Sequence, residues 1–388
     1  MPRPLPCTRR SIMAVSLPSA PEGEDRMTSF TTVQTAAMQR ALRAAASPDA
    51  PPGPNPRVGC VILSPDGDVL AEGHHRGAGS AHAEVDALAN LAATGASARG
   101  ATVLVTLEPC NHQGRTGPCV QALLDAGVAE VIYAQDDPTE QAGGGAAALQ
   151  AAGVRVRRGL CAQEAARLNR PWLLAVTRGR PMVTWKLAAT LDGRIAAADG
   201  TSQWITPVAA RHDAHRLRRQ CDAIMVGTGT ALADDPALTV RDETGQPAPA
   251  HLQPLRVVVG SRSLPPTSKV LADAHYLLLP DHDPHAVLAV LAEREIRHVL
   301  LEGGPILATA FLRAGLVDQV VAYTAPALLG AGAAALADFG AATISDALRL
   351  SHPRVEVLGA GDELAVRLCG DLEADDVPTA HFHTEESH

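Results

Sequence analysis

Residues 107–119 read "LEPCNHQGRTGPC", and the fold follows from what surrounds them. The preceding run "ATVLVTLE" (101–108) is β-branched and apolar, which predicts a strand that closes at Glu108 before Pro109. Cys110 follows at once. Cys119 comes after an eight-residue spacer, behind Pro118 and at the head of the helical pattern "PCVQALLDAG" (118–127). Proline suits a helix start because its φ is already fixed there. A helix N-terminus also lowers a cysteine pKa and so favours the thiolate.

A third ligand is found upstream. "HAEVDAL" (82–88) opens an otherwise apolar helix with a histidine and two carboxylates. Acidic residues in a first helical turn can simply answer the backbone dipole. The sharper reading makes His82 a metal ligand and Glu84 a general base. Catalytic zinc takes three protein ligands and leaves a fourth position for water, and His82, Cys110 and Cys119 supply that set. Zinc lowers the pKa of its water to about 7, and Glu84, two residues from His82, can reach that water without displacing it. A closed zinc knot or a pair of ordinary buried cysteines would have no use for the carboxylate. His-x-Glu followed by Pro-Cys and a second Cys is the pattern of zinc base deaminases. The spacer is longer than the Cys-x-x-Cys of nucleoside and nucleic-acid deaminases. It carries His112 and Arg115, which fit either a loop that reads an anionic or polar substrate or incidental surface charge.

The bulk numbers agree with an enzyme of two domains. The chain has 388 residues, too many for one ordinary core. Hydrophobic residues make up 46% and charged residues 19%, the balance of a globular protein. The net charge of −9, with no long basic run, argues against a nucleic-acid backbone as partner. No stretch approaches the roughly 20 apolar residues of a membrane span. Seven cysteines at irregular spacing (Cys7 to Cys369) argue against a disulfide framework and for a reducing, cytoplasmic compartment.

The first half alternates helix and strand patterns. "TTVQTAAMQRALRAAAS" (31–47) has helical spacing behind a threonine cap, and "RVGCVILS" and "VLAEGHH" flank the turn "PDGD" as a hairpin. Further strands are predicted at "EVIYAQD" and "VRVRRG", with an alanine-rich helix between them. "RGRP" (178–181) is the predicted boundary. In the second half, strands are predicted at "PMVTWKLA", "AIMVGT", "LRVVVG", "HYLLL", "HVLLEG", "VVAYTA" and "LAVRLC", with helices at "VAARHDAHRLRRQ" and "PILATAFLRAG". Strands separated by helices imply an α/β sheet in each domain. The expected organisation is a flexible leader (1–30), a zinc deaminase domain (31–177), a second α/β domain (178–370) and a disordered tail (371–388). The tail's His381, His383 and His388 suit a solvated segment better than a metal trap.

Second-half chemistry is less legible. Arg211, His215 and Arg218 recur at helical spacing, so they are expected on one face, either as a solvated basic stripe or as a phosphate clamp. "LLEGGPIL" and "VGTGT" place glycines between a strand and a helix start, where backbone N–H groups can meet a phosphate. The same junctions are common without a ligand. No Gly-x-Gly-x-x-Gly with a later acidic residue is present, so a classical dinucleotide fold is not indicated.

Taken together, "PNPRVGCVI", "HAEVDAL", "VTLEPCNHQGRTGPC", "KLAATLDGRIA", "SQWIT", "DAIMVGTGTALADDPALTVR" and "EGGPILATAFL" closely resemble, in order, the bifunctional deaminase–reductase family of bacterial riboflavin biosynthesis. The resemblance runs from about Thr31 to about Gly370. It implies a cytidine-deaminase-like α/β/α domain followed by a dihydrofolate-reductase-like α/β domain, with zinc and NADPH as cofactors. It further implies deamination of 2,5-diamino-6-ribosylamino-4-pyrimidinone 5′-phosphate at the ring 2-amino group, then reduction of the ribosyl group to ribityl. His82, Cys110 and Cys119 would hold zinc, Glu84 would shuttle the proton, and Asn55 would meet the pyrimidine ring. Ala188, Trp204, Thr230, Asp234 and the segment from Gly304 match cofactor positions. Ser202, Arg218, Leu238, Arg241 and Glu302 match substrate positions, and Lys186 would lie near the reacting sugar. The resemblance also implies a homo-oligomer built through the reductase halves.

Two positions depart from that family: Gly117 replaces a proline, and Gly260 stands where an aspartate is common. The competing reading is a zinc deaminase of another pyrimidine, or of a nucleic-acid base, with an inactive reductase-like domain.

Overall fold

The computed structural model describes residues 29–47, 53–112, 117–139 and 143–372. The leader through residue 28, Arg115, and the tail histidines 381, 383 and 388 lie outside the described residues. In the N-terminal domain the elements run α1 (Thr32–Ala45), β1 (Gly59–Leu63), β2 (Val69–His74), α2 (Ala83–Ala93), β3 (Thr102–Val105), α3 (Cys119–Asp125), β4 (Glu130–Tyr133), α4 (Gly145–Ala151) and β5 (Arg155–Arg158). The strands form one sheet in the order β2-β1-β3-β4-β5. β1 is antiparallel to β2 and β3, and the remaining neighbours are parallel.

Alternation along the strands builds three layers. Cys60 and Ile62 of β1, with Val103 and Val105 of β3, face Ala83, Ala87 and Leu91 of α2, Leu123 of α3 and Leu149 of α4. Val61, Leu63 and Leu104 face the other way, onto Ala37, Met38 and Ala41 of α1. α1 begins where expected: Thr31 caps it, and Gln34 closes the capping box. The packing is so close that a Cβ on Gly59 would sit 2.0 Å from the carbonyl oxygen of Ala41.

Two helices, α5 (Ala162–Leu168) and α6 (Arg170–Arg178), connect the domains through "AQEAARLNRPWLLAVTRG". They meet at Asn169, with Pro171 in the first turn of α6. α6 packs against the second sheet, and Arg178 and Arg180 both grip the buried Asp318 at 2.6 and 2.8 Å.

The second domain runs β6 (Met182–Thr190), α7 (Val208–Arg218), β7 (Ala223–Gly227), α8 (Thr228–Asp234), β8 (Leu255–Val259), β9 (Tyr276–Leu279), α9 (Pro284–Glu293), β10 (His298–Leu301), α10 (Pro305–Arg313), β11 (Gln319–Ala325), β12 (Ser351–Ala360) and β13 (Glu363–Asp371). The sheet order is β12-β13-β11-β6-β10-β7-β8-β9. The strands from β11 to β9 are parallel, and β13 and β12 are antiparallel to their neighbours. One face of the sheet packs on α9 and α10, and the other on α7 and α8.

Every predicted strand is present, and one further strand is found. β12 carries Pro353 and a register shift between Ser351 and Arg354, and its side chains are mostly exposed. An edge strand tolerates a proline because its outer N–H groups need no ladder partner, and its short alternation through Val355 and Val357 is bracketed by Pro353 and Gly359.

Candidate active sites

His82 is the N-cap of α2, with extended backbone (φ −69°, ψ 159°) that turns its ring toward the cleft. Cys119 is the first residue of α3, behind Pro118 as N-cap. Cys110 lies where the chain leaves β3. The three side chains converge: His82 Nδ1 lies 3.4 Å from Cys110 Sγ and 3.3 Å from Cys119 Sγ, and all three donor atoms fall within 4.8 Å of one another. A tetrahedral ion with bonds of about 2.3 Å to sulfur and about 2.0 Å to nitrogen has edges of roughly 3.5 to 3.8 Å. The donor set and its spacing therefore fit zinc.

Electrostatics point the same way. The Cys110 thiol is lowered to about 4 because the Cys119 and His82 side chains hydrogen-bond its sulfur, although burial opposes them. Cys119 is pushed strongly up by sharing its proton with Cys110, by burial and by Glu84. Two sulfurs competing for one proton beside an imidazole make a site that a divalent cation relieves. Glu84 is buried against this cluster, and burial pushes its carboxyl up to about 7, helped by the negative charge of Cys110.

The two carboxylates of "HAEVDAL" part company. Asp86 accepts the backbone N–H of His74 at 3.0 Å and an Arg76 guanidinium hydrogen bond at 2.6 Å, so it pins the end of β2. Glu84 faces the cavity of about 210 Å³ that Asn55, His75, His82, His112 and Trp172 also line. Asn55 Nδ2 lies 3.0 Å from His75 Nε2, and His75 Nδ1 lies 3.0 Å from the Ala81 carbonyl. An amide nitrogen only donates, so Nε2 must accept, and Nδ1 carries the proton to Ala81. Burial lowers the His75 pKa, in keeping with a neutral ring.

His75 and Trp172 were not singled out from the sequence. "GHH" reads as the end of a hairpin, and Trp172 lies 90 residues from His82 on the connector, so no local pattern links them to the metal. Arg115 falls outside the described residues. Among the described residues nothing lies within 4 Å of where a Cβ on Gly117 would sit.

In the second domain a carboxylate organises the residues. Glu302 follows β10, and Arg218, the last residue of α7, meets it with Nε–Oε1 at 2.6 Å and Nη2–Oε2 at 2.8 Å. Lys186 Nζ on β6 approaches Oε2 at 3.5 Å. These two cations hold the Glu302 carboxyl far below its usual range although it is buried. Arg218 also donates to the Thr239 carbonyl at 3.0 Å. The backbone N–H of Arg241 donates to His215 Nδ1 at 3.3 Å, and burial and the Arg218 charge lower His215 to about 4.

The expected stripe of three cations on α7 is thus not what the structure shows. Arg218 is committed to Glu302, and His215 is held neutral. Arg211 donates to the Thr206 carbonyl at 2.9 Å and lies 4.5 Å above the exposed Trp204 ring.

The remaining positions lie in pairs. Ser202 hydrogen-bonds Asp234 at the end of α8, whose carboxyl is raised by burial. Thr230 Oγ1 accepts from the backbone N–H of Gly304, the N-cap of α10, at 2.9 Å. Ala188 sits on β6 opposite Tyr323. Leu238 is buried with φ +49°. Gly260 has φ +127°, and a Cβ there would fall 2.7 Å from Thr228 Oγ1, so an aspartate would not fit this backbone.

A largely buried His/Cys/Cys cluster with an adjacent buried glutamate, on an α/β/α domain joined to a second α/β domain, defines a zinc deaminase coupled to a further enzyme. Residues 31–135 match the family profile described as cytidine and deoxycytidylate deaminase zinc-binding region, and residues 181–361 match the RibD C-terminal domain. The riboflavin biosynthesis protein RibD of Mycobacterium tuberculosis is 52% identical over 308 residues, covering 79% of this chain and 89% of that protein. The Escherichia coli K12 protein is 41% identical, covering 86% and 98%. The solved Acinetobacter baumannii RibD is 36% identical with a TM-score of 0.78, covering 88% of this chain and 99% of that one. A Thermotoga maritima deaminase/reductase is 30% identical with a TM-score of 0.77, covering 87% and 99%. This chain belongs to the RibD family: it is a bifunctional enzyme of riboflavin biosynthesis, with a zinc deaminase domain and an NADPH-dependent reductase domain.

Proposed function

We propose that the N-terminal domain replaces the ring 2-amino group of 2,5-diamino-6-ribosylamino-4-pyrimidinone 5′-phosphate with oxygen, releasing ammonia, and that the second domain reduces the ribosyl group of the product to ribityl. The observation that carries this reading is the convergence of His82, Cys110 and Cys119 beside the buried Glu84. Zinc, when bound, supplies the acidity that makes a water nucleophilic near neutral pH. Glu84 would carry two protons in turn, the first from the water to the ring nitrogen and the second from the added hydroxyl to the amino group that leaves as ammonia, work for which a carboxyl titrating near neutrality is suited. Asn55, oriented by His75, hydrogen-bonds the ring edge, and Trp172 lines the same cavity.

In the second domain NADPH supplies the hydride. Glu302, fixed by Arg218 and Lys186, holds the sugar, and Lys186 stands beside the reacting carbon. Ser202, Leu238 and Arg241 complete the substrate side. Ala188, Trp204, Thr230, Asp234 and Gly304 form the cofactor side, with the Thr230–Gly304 bond setting the start of α10 against α8. The partner is a small phosphorylated pyrimidine and not a nucleic acid; the net charge of −9 supports this.

The enzyme is read as cytoplasmic and homo-oligomeric. Among the described residues no helix is long and apolar enough to cross a membrane, and the six described cysteines are all free, as a reducing compartment requires. Exposed Val355 and Val357 on the edge strand β12 favour assembly through the second domain.

The test supplies the purified protein with the diaminopyrimidine phosphate, with and without NADPH. Ammonia should appear in both cases and ribityl product only with NADPH. Ammonia without any ribityl product would favour an inactive second domain.

A further inference from the structure

The loop Pro54–Arg57, which carries Asn55, is held by the connector and, in part, by the second domain. It contains two prolines, so half of its backbone offers no N–H donor and it cannot anchor itself through a ladder. Asn55 turns inward to His75. The other contacts run outward. Asn169, buried at the connector, accepts the backbone N–H of Arg57 at 2.8 Å and donates to its carbonyl at 2.9 Å. Arg297 Nε of the second domain donates to the Pro54 carbonyl at 3.4 Å. The Arg57 guanidinium is buried within electrostatic range of Asp222, the residue before β7.

Asp222 is itself fixed. Its Oδ2 accepts the backbone N–H groups of Arg297 and His298 at 2.7 and 2.8 Å, so the start of β10 and the carboxylate move together. Burial lowers the Arg57 pKa and the Asp222 charge opposes that, as expected for a cation kept charged by one partner.

We propose that Asp222, facing Arg57, and Arg297, bonded to the Pro54 carbonyl and fixed by Asp222, are positioning residues of the deaminase: from the second domain they hold the 54–57 loop so that Asn55 presents its amide to the pyrimidine. The inference rests on the reading of Asn55 as a ring contact. It makes the second domain part of the first domain's substrate specificity, through the ends of β7 and β10 opposite to the end that carries Glu302.

The test uses the full-length protein and measures ammonia release, NADPH oxidation with the deaminated substrate, and zinc content. Arg57→Met and Asp222→Asn should each raise the KM for ammonia release about tenfold and leave its kcat within about twofold, because substrate orientation and not proton transfer is lost. Arg57→Lys should recover most of the KM. Asp222→Asn keeps an oxygen for the two backbone N–H groups, so NADPH oxidation and zinc content should stay at wild-type levels. An unchanged KM in Arg57→Met and Asp222→Asn overturns the proposal. So does a parallel fall of both activities and zinc, which would mark these residues as purely structural. Asn55→Ala separates the two claims. If it leaves KM unchanged, the ring-contact reading fails; if it raises KM while Arg57→Met does not, only the positioning role fails.

Discussion

Arg218 and Glu302 meet through two parallel hydrogen bonds, 2.6 and 2.8 Å long, across 84 positions of sequence. Such a fork is available to arginine and not to lysine. Breaking a buried pair leaves a charge without compensation, at a cost of about 3–5 kcal/mol. Arg218→Met should therefore reduce NADPH oxidation by about a hundredfold or more. Ammonia release should persist, which a side-by-side assay of the two activities on one preparation would show. Arg218→Lys should recover only a small part of the reductase rate.

Glu84→Gln keeps the shape of the side chain and removes its titration. Ammonia release should fall by about 10²–10⁴-fold, the usual range for a lost general acid–base. Zinc content, measured by metal analysis, should be unchanged, because Glu84 is not among the proposed ligands His82, Cys110 and Cys119. Retained deamination would exclude the assigned role.

His75→Ala removes the group that fixes the Asn55 amide while leaving all three zinc donors in place. The loss of one hydrogen bond of this kind, about 1 kcal/mol, should raise the KM for ammonia release about fivefold with little change in kcat. An unchanged KM would show that Asn55 holds its orientation without this partner.

His298 is fully buried, its Nδ1–H aimed at the Gln220 carbonyl at 3.2 Å and its Nε2 facing the Thr184 hydroxyl at 2.8 Å. Burial lowers its pKa to about 4. Between that value and the unfolded value of about 6.5, the unfolded chain binds the proton more readily, so stability falls as the pH falls. Wild type should lose up to about 1.4 kcal/mol per pH unit more than His298→Gln between pH 6.5 and 4.5. Thermal melts of both proteins across that window would measure the difference; parallel curves would show that His298 does not titrate on unfolding.

The reading from sequence was complete where local chemistry and alternation coincide. His82, Cys110 and Cys119 sit at element boundaries that proline and periodicity mark, so their convergence was legible without coordinates. Threonine 31 announced α1 in the same way. β12 was hard to read because Pro353 and Gly359 bracket a short alternation through Val355 and Val357, and its apolar side chains are exposed and not packed on a core. Residues brought in from a distance were equally hidden: Trp172 reaches the cavity from the connector, and nothing near it in sequence speaks of metal. The α7 stripe shows the reverse failure. Spacing put Arg211, His215 and Arg218 on one helix, but only the fold could reveal that Glu302 neutralises Arg218 and that burial silences His215.

β10 has only four residues, yet Arg297 precedes it and Glu302 follows it. At about 3.3 Å per residue its two ends are little more than a nanometre apart. Val299, Leu300 and Leu301 between them are fully enclosed, so damage to that short span reaches both chemistries at once. A variant that loses ammonia release and hydride transfer in equal measure is thus diagnosing a broken scaffold, and only an uneven loss speaks about either reaction.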